Sequence, residues 1–294
     1  MDKQLLILPF DHRSSFSKNI LGISGKLNLK QKKEISDLKK IIFEGFLTVY
    51  KKYDIKDYFG ILVDEEYGLS VLKQAKKNKA IVCLPVEKSG QKELKFEYGS
   101  AFGLHIKKIN PDYVKVLVRY NPLNKEVNKK QLARLKTLGD FCAKNNYKII
   151  LELLVPPTEY DLKKSKTEDK YNNTLRLKRS VGAIKEIKKF LAVDTWKLEY
   201  FSQAGWRKII RTVGKNSKII LLGRGENKAV VDGWIEDAAG FSQIVGFAIG
   251  RTIFLEELKK YHAGKITKKT AILKISNNFD YFVKLWAKHK GFEL

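Results

Sequence analysis

Histidine, cysteine, proline and methionine are scarce in this 294-residue sequence, with four, two, six and one copies. The histidines are His12, His105, His262 and His289. No two of them share metal-ligand spacing, which argues against the histidine cluster of a zinc site. Asp64, Glu65 and Glu87 are oxygen donors of the kind magnesium uses, but Asp64–Glu66 equally reads as an acidic helix start. Two cysteines, Cys83 and Cys142, do not make a disulfide framework and read as buried free thiols.

Long apolar runs are also missing. None approaches the roughly 18 residues of a membrane span, and Met1-Asp2-Lys3-Gln4 has neither the charge pattern nor the apolar core of a signal peptide. The expected location is the cytoplasm, with no membrane partner. The glycine-rich phosphate signatures of dinucleotide-binding folds and P-loops are absent too. So are internal repeats and low-complexity linkers, and one domain over residues 1–294 accounts for the chain.

Arginine is the remaining scarcity. Lysine and arginine together number 58 against 32 acidic residues, a formal charge of +26, yet only nine are arginine. The lysines recur in pairs, such as Lys39-Lys40, Lys76-Lys77 and Lys259-Lys260, which fall mostly on the polar faces of the expected helices. Such a surface attracts polyanions without selectivity and steers phosphorylated small molecules. No basic tail, zinc-finger spacing or RNA-binding aromatic motif accompanies it, so no specific nucleic-acid partner is expected.

Short apolar runs alternate with longer amphipathic segments. Strands are expected at Leu5–Phe10, Gly60–Val63, Ala80–Val86, Tyr113–Arg119, Lys148–Leu154, Val193–Tyr200, Lys218–Leu222 and Ile244–Ile249. Helices are expected over Gln31–Tyr53, Ser100–Ile109, Asn128–Asn145, Tyr171–Leu191, from Ser202 to Val213, and over Ala229–Ala239 and Thr252–Tyr261. Pro156 to Lys170 reads as a longer mobile loop, and Ala271–His289 as a C-terminal helical extension. Eight such alternations predict an α/β fold, a single (β/α)8 TIM barrel.

In that fold chemistry sits at the C-terminal ends of the strands. Those ends carry Asp11 and Arg13, Glu87, Arg119, Glu152, Lys197 and Glu199, Arg224, and Arg251. Four of the nine arginines are among them, which suggests fixed, forked donors. In strand four, Val114, Val116 and Val118 share one face, so Lys115 points into the barrel. By the same parity Glu152 points inward, and Lys197 and Glu199 share a face. An inward set of Lys115, Lys197, Glu87, Glu152 and Glu199 is costly to bury. It reads either as a structural ion network or as an amine-nucleophile site. In the latter, Lys115 beside Lys197 is expected to depress an amine pKa and the carboxylates to move protons. Gly223-Arg224-Gly225 and Gly250-Arg251-Thr252 follow strands seven and eight, where this fold commonly binds phosphate.

As a set, Phe10-Asp11-His12-Arg13-Ser14-Ser15-Phe16, Val63-Asp64-Glu65-Glu66-Tyr67-Gly68, Glu87-Lys88-Ser89-Gly90, Leu151-Glu152-Leu153, Trp196-Lys197-Leu198-Glu199, Leu222-Gly223-Arg224-Gly225 and Gly246 to Phe254 resembles one aldolase-like family. It is the domain found behind a sugar kinase in bifunctional inositol-catabolism proteins, the DUF2090 or 5-dehydro-2-deoxyphosphogluconate aldolase type. That type is related to the class I tagatose-1,6-bisphosphate aldolases. The resemblance implies a cofactor-free, metal-independent Schiff-base aldolase. Lys197 would form the covalent imine, Lys115, Glu87 and Glu152 would be catalytic, and Asp11 would bind substrate hydroxyls. Arg13, Arg119 and Glu199 join the substrate-binding set, and Arg251, with Gly250, Gly223, Arg224 and Gly225, would hold phosphate. The implied substrate is a phosphorylated sugar giving dihydroxyacetone phosphate, of the fructose or tagatose 1,6-bisphosphate type or 2-deoxy-5-keto-gluconate 6-phosphate. No kinase domain accompanies these motifs, while Gly223-Arg224-Gly225 sides with the inositol type. The contrasting expectation is a non-catalytic barrel that binds phosphorylated metabolites or polyanions. Aromatic residues on the outer helices leave room for a homo-oligomer.

Overall fold

The structure, a computed structural model, describes residues 3–294; Met1 and Asp2 of the N-terminal stretch read above lie outside it. Its centre is a closed barrel of eight parallel strands in sequence order. The strands are β1 (Leu5–Pro9), β2 (Phe59–Leu62), β3 (Ile81–Pro85), β4 (Tyr113–Arg119), β5 (Lys148–Leu154), β6 (Thr195–Leu198), β7 (Lys218–Leu222) and β8 (Ile244–Ala248). They are nearly continuous apolar runs because both faces are buried, one against the helices and one in the lumen. The expected (β/α)8 TIM barrel is therefore the fold.

Two apolar clusters separate along the barrel. The larger one joins the outward strand residues, such as Val114, Val116, Val118 and Trp196, to the surrounding helices. The smaller one fills the lower lumen with Leu5, Ile7, Ile81, Cys83, Ile150, Ile220 and Val245. Two residues further up the same strands, the inward positions become Glu152 above Ile150 and Lys115 above Tyr113. The lumen thus has a dry floor and a charged upper layer. Cys83 and Cys142 are both free and buried, as expected.

Helix starts are set by side-chain caps. Asn28 and Gln31 form a capping box before Leu29–Lys52, and Asp64 accepts from the Tyr67 amide before Glu65–Lys77. The C-terminal helix Lys268–Lys290 packs on Leu29–Lys52, stacking Phe279 near Phe46 at 5.8 Å between ring centroids. Its Trp286 donates to Gln4 at 3.0 Å, below the first strand. No helix among the described residues is long and apolar enough to cross a membrane.

Pro156 to Lys170 departs from the expectation of a mobile loop. It holds two short helices, Glu159–Ser165 and Glu168–Thr174, and the expected Tyr171–Leu191 helix is divided, running Arg176–Ile187. Thr158 and Asp161 make a capping box, Thr167 caps the second turn, and Arg179 donates to Asp161 at 2.7 Å. The polar residues that suggested a loop are the caps that stop and restart the helix.

The seam that closes the barrel pairs Leu5 on β1 with Gly246 on β8. A Cβ on Gly246 would lie 2.0 Å from the Leu5 carbonyl oxygen, which belongs to backbone and cannot swing aside. Gly246→Ala should cost about 3 kcal/mol or more of stability, read as a lower urea midpoint. A midpoint equal to that of the unmodified protein would show that the seam has slack.

Candidate active site

The charged layer opens at the C-terminal end of the strands into a cavity of about 560 Å³. At its floor Glu152 on β5 and Lys197 on β6 are direct neighbours across the sheet. Lys197 Nζ donates to Glu152 Oε2 at 3.0 Å, and Lys115 Nζ lies 3.1 Å from that same oxygen. Lys115 also donates to Glu87 Oε1 at 2.6 Å and to Asp11 Oδ2 at 2.8 Å. All five side chains are nearly buried, Lys115 at 2% and Lys197 at 4% exposure. Four of the five inward residues expected from the sequence, Lys115, Lys197, Glu87 and Glu152, thus meet in one connected group, which Asp11 joins and Glu199 does not.

Burial alone would lower the pKa of Lys115, but Asp11, Glu152 and Glu87 together raise it well above the usual amine range. Three carboxylates around this one ammonium outweigh its burial. Burial would likewise raise Asp11, yet Lys115 holds it well below the usual carboxylate range. Glu152 is lowered against burial by Lys115 and Lys197, whereas burial wins at Glu87 and raises it. Lys115 is therefore locked as an ammonium, and its charge organises the carboxylates. Among the described residues no group of three or more histidine, cysteine, aspartate or glutamate residues is arranged to hold a metal ion. Within the Asp11–Glu87–Glu152 cluster, the central cation is the lysine.

Arg251 and Arg224 stand at the ends of β8 and β7. Arg251 Nη2 donates to the Arg224 carbonyl, and Gly225 admits that contact, since a Cβ there would lie 2.8 Å from the Arg251 guanidinium carbon. Gly250 lets the chain pass Pro9, whose carbonyl would be 2.2 Å from an added Cβ. Arg224, Gly225, Gly250 and Arg251 all line the cavity, while Gly223 packs against Ile249 outside its wall. Two guanidiniums converging on a glycine-lined loop suit a tetrahedral dianion.

The other expected binding residues differ in their availability. Arg13 borders the cavity, but its terminal nitrogens are engaged by Glu97 and the Glu87 carbonyl. It secures the segment after β3, where Glu87 bridges Phe96. Arg119 donates to the Gln91 carbonyl at 3.0 Å and lines the cavity. Glu199 pairs with Arg176 and Arg224, away from the Lys115–Lys197 group.

Two residues at the site were given no role from the sequence. His12 lines the cavity with its Nδ1 buried and without a partner, and burial, with Arg251 and Lys197, brings its pKa down to about 4 despite Asp11. It is a neutral imidazole at physiological pH. Arg176 begins a helix far from any strand end, and only folding buries it beside Glu199.

Asp11 and Glu152 carry depressed pKa values, so they contribute stability above the unfolded carboxylate range of about 4 that is lost as pH falls through their folded values. Lys115, raised, contributes stability below about 10.5 that is lost only as pH rises through its folded value. Lys115→Met removes the shared cation, and destabilisation of about 3–5 kcal/mol at pH 7 is expected. The stranded carboxylates then titrate above their unfolded values, so the variant should regain stability between pH 7 and 5. Urea unfolding at both pH values tests this; parallel profiles for variant and unmodified protein would contradict it.

No curated protein matches the sequence. Solved structures share its fold: fructose-bisphosphate aldolase from Plasmodium falciparum at TM-score 0.68 and 14% identity, over 98% of this chain and 91% of that one. Cgl0159 from Corynebacterium glutamicum aligns at TM-score 0.63 and 14% identity, over 98% and 86%. The YdjI aldolase from Escherichia coli K12 aligns at 0.59 and 9%, over 99% and 94%. At such identities the likeness is one of fold. The family model described as "Uncharacterized protein conserved in bacteria (DUF2090)" matches residues 1–290, and the chain belongs to that family.

Proposed function

We propose that the protein is a class I aldolase that reversibly cleaves a phosphorylated sugar to dihydroxyacetone phosphate and an aldehyde through an imine on Lys197. The observation that carries this reading is the buried Lys197–Glu152–Lys115 chain at the floor of a cavity whose rim holds two free-edged arginines. A purely structural ion network has no need to face an open cavity, and a plain anion binder has no need of an inward amine pair.

In the cleavage direction Lys197 Nζ passes a proton to Glu152, 3.0 Å away, and attacks the C2 carbonyl. The carbinolamine takes up a proton at oxygen and loses water, giving the iminium. A base then removes the C4 hydroxyl proton, the C3–C4 bond breaks, and its electron pair moves into the iminium to give an enamine. Glu152, directly or through a water, is the base assigned to that proton, with Glu87 the second carboxylate in reach of the same ammonium. Protonation of the enamine at C3 and hydrolysis release dihydroxyacetone phosphate and restore the amine. Lys115 stays an ammonium throughout, which keeps Asp11 ionised and favours the return of Glu152 to the carboxylate after each proton transfer. Asp11 binds substrate hydroxyls, and Arg251 with Arg224 takes the phosphate.

The fructose or tagatose 1,6-bisphosphate type fits this numbering, and 2-deoxy-5-keto-gluconate 6-phosphate fits the same chemistry with the imine at C5, the C3 hydroxyl deprotonated, the C3–C4 bond broken and the proton added at C4. A panel of these sugars assayed for triose release separates them.

Borohydride treatment with dihydroxyacetone phosphate should add one reduced triose adduct by intact mass, located at Lys197 by peptide mapping. Lys197→Ala should lose the adduct and lower kcat/KM by a factor on the order of 10^4 or more. Glu152→Gln should retain slow trapping with turnover reduced by roughly 10^2–10^4. Activity should persist in EDTA. An adduct surviving Lys197→Ala, or loss of activity on chelation, would remove the Schiff-base reading.

A further inference from the structure

Glu199 and Arg176 are buried ions that the scheme above does not use. Glu199 shares the inward face of Lys197 but pairs with neither active-site lysine. Its Oε2 lies 3.4 Å from Arg176 Nη1 and its Oε1 lies 3.1 Å from Arg224 Nη1. Arg176 is fixed independently: its Nη2 donates to the Tyr200 carbonyl at 2.8 Å, and its guanidinium lies 4.7 Å over the Phe201 ring. Arg224 is a non-glycine residue at φ 51°, a strained backbone state that persists only where its surroundings hold it. They hold it at two points, the backbone carbonyl by Arg251 and the guanidinium by Glu199.

We infer that Glu199 is a positioning residue which, anchored by Arg176, fixes Arg224 for phosphate before any ligand arrives. The inference rests on the phosphate role proposed for Arg224. It makes phosphate selectivity depend on two residues that do not touch the phosphate. Glu199 meets the Arg224 guanidinium at Nη1, and Arg224, with its side chain 37% exposed, lines the cavity. Arg176 offsets the charge of Glu199, so the pair is neutral and Arg224 with Arg251 presents two positive charges. A phosphate monoester near neutral pH carries a charge close to −2. Without Glu199 a long side chain must be ordered at the moment of binding, which weakens an interaction by up to roughly tenfold. Arg176 lies directly after the Glu168–Thr174 helix, whose Glu168 and Asn172 border the cavity. The same carboxylate therefore ties the cavity wall after β5 to the loop after β7.

The double variant Glu199→Gln with Arg176→Met keeps the net charge and removes the anchor. Calorimetric titration with inorganic phosphate should show a Kd raised by about tenfold. Borohydride trapping should show the rate ratio of dihydroxyacetone phosphate to dihydroxyacetone falling by a similar factor, with the loss in KM rather than kcat. Arg176→Lys, which keeps the charge but not the fork, should move both readouts severalfold the same way, and it carries the test if melting shows the double variant unfolded. A phosphate Kd within twofold of the unmodified value, or equal loss of trapping with both ketones, overturns the inference. The calorimetric arm needs no imine: absent trapping in the unmodified protein would discard the aldolase reading while phosphate binding still decides the role of Glu199.

Discussion

One ammonium holds the upper barrel together. Lys115 contacts Asp11 from the end of β1, Glu87 from the end of β3 and Glu152 from β5, three carboxylates that would otherwise repel one another in a nearly dry layer. Moving any of these ions out of water costs several kcal/mol. The arrangement survives because each ion has a close partner and because the layer below it is apolar and shuts off solvent. The chemistry inherits its geometry from this constraint. Glu152 must face Lys115, and its sheet register places Lys197 directly beside it.

The rim obeys a different constraint. There the chain needs close approach and strain rather than charge balance: Gly250 passes under the Pro9 carbonyl, Gly225 leaves room for the Arg251 fork, and Arg224 takes a left-handed backbone. Such positions are stable only when neighbours over-determine them. The ion pairs around Glu199 and the Arg251 contact to the Arg224 carbonyl supply that determination, so the loop after β7 is preorganised by groups outside it. Preorganisation of this kind removes an ordering cost from the binding step.

Much of this was legible in the sequence because the signals were periodic. The valine face of β4 dictated that Lys115 turn inward, and the alternation of apolar runs with amphipathic segments dictated the barrel. What stayed hidden depends on distance in space. Arg13 looked like a ligand-binding arginine at a strand end, but its contacts with Glu97 and the Glu87 carbonyl come from a segment more than 70 residues away. Arg176 carried no signal because its burial is set by Tyr200 and Phe201. Two inward lysines suggest repulsion, and only the assembled barrel brings three carboxylates around Lys115. The capped turns over 158–174 show the converse error, polar residues read as loop when their hydroxyls and carboxylates were terminating helices.

The division between lysine and arginine follows from what each cation can do. The sequence spends lysine freely, and on the surface a lysine is a solvated charge that draws anions without selecting among them. At the floor of the cavity lysine is retained where a compact point charge must sit among three carboxylates, and where, in the proposed reaction, an amine surrenders its proton. At the rim and behind it the chain turns to its nine arginines. A fork can hold a carboxylate on one edge and still offer the other, which a lysine at position 224 or 176 could not do. In the proposed reaction the lysine-rich surface would draw a phosphorylated ligand near, the arginines would fix its phosphate, and that placement would set its carbonyl over Lys197.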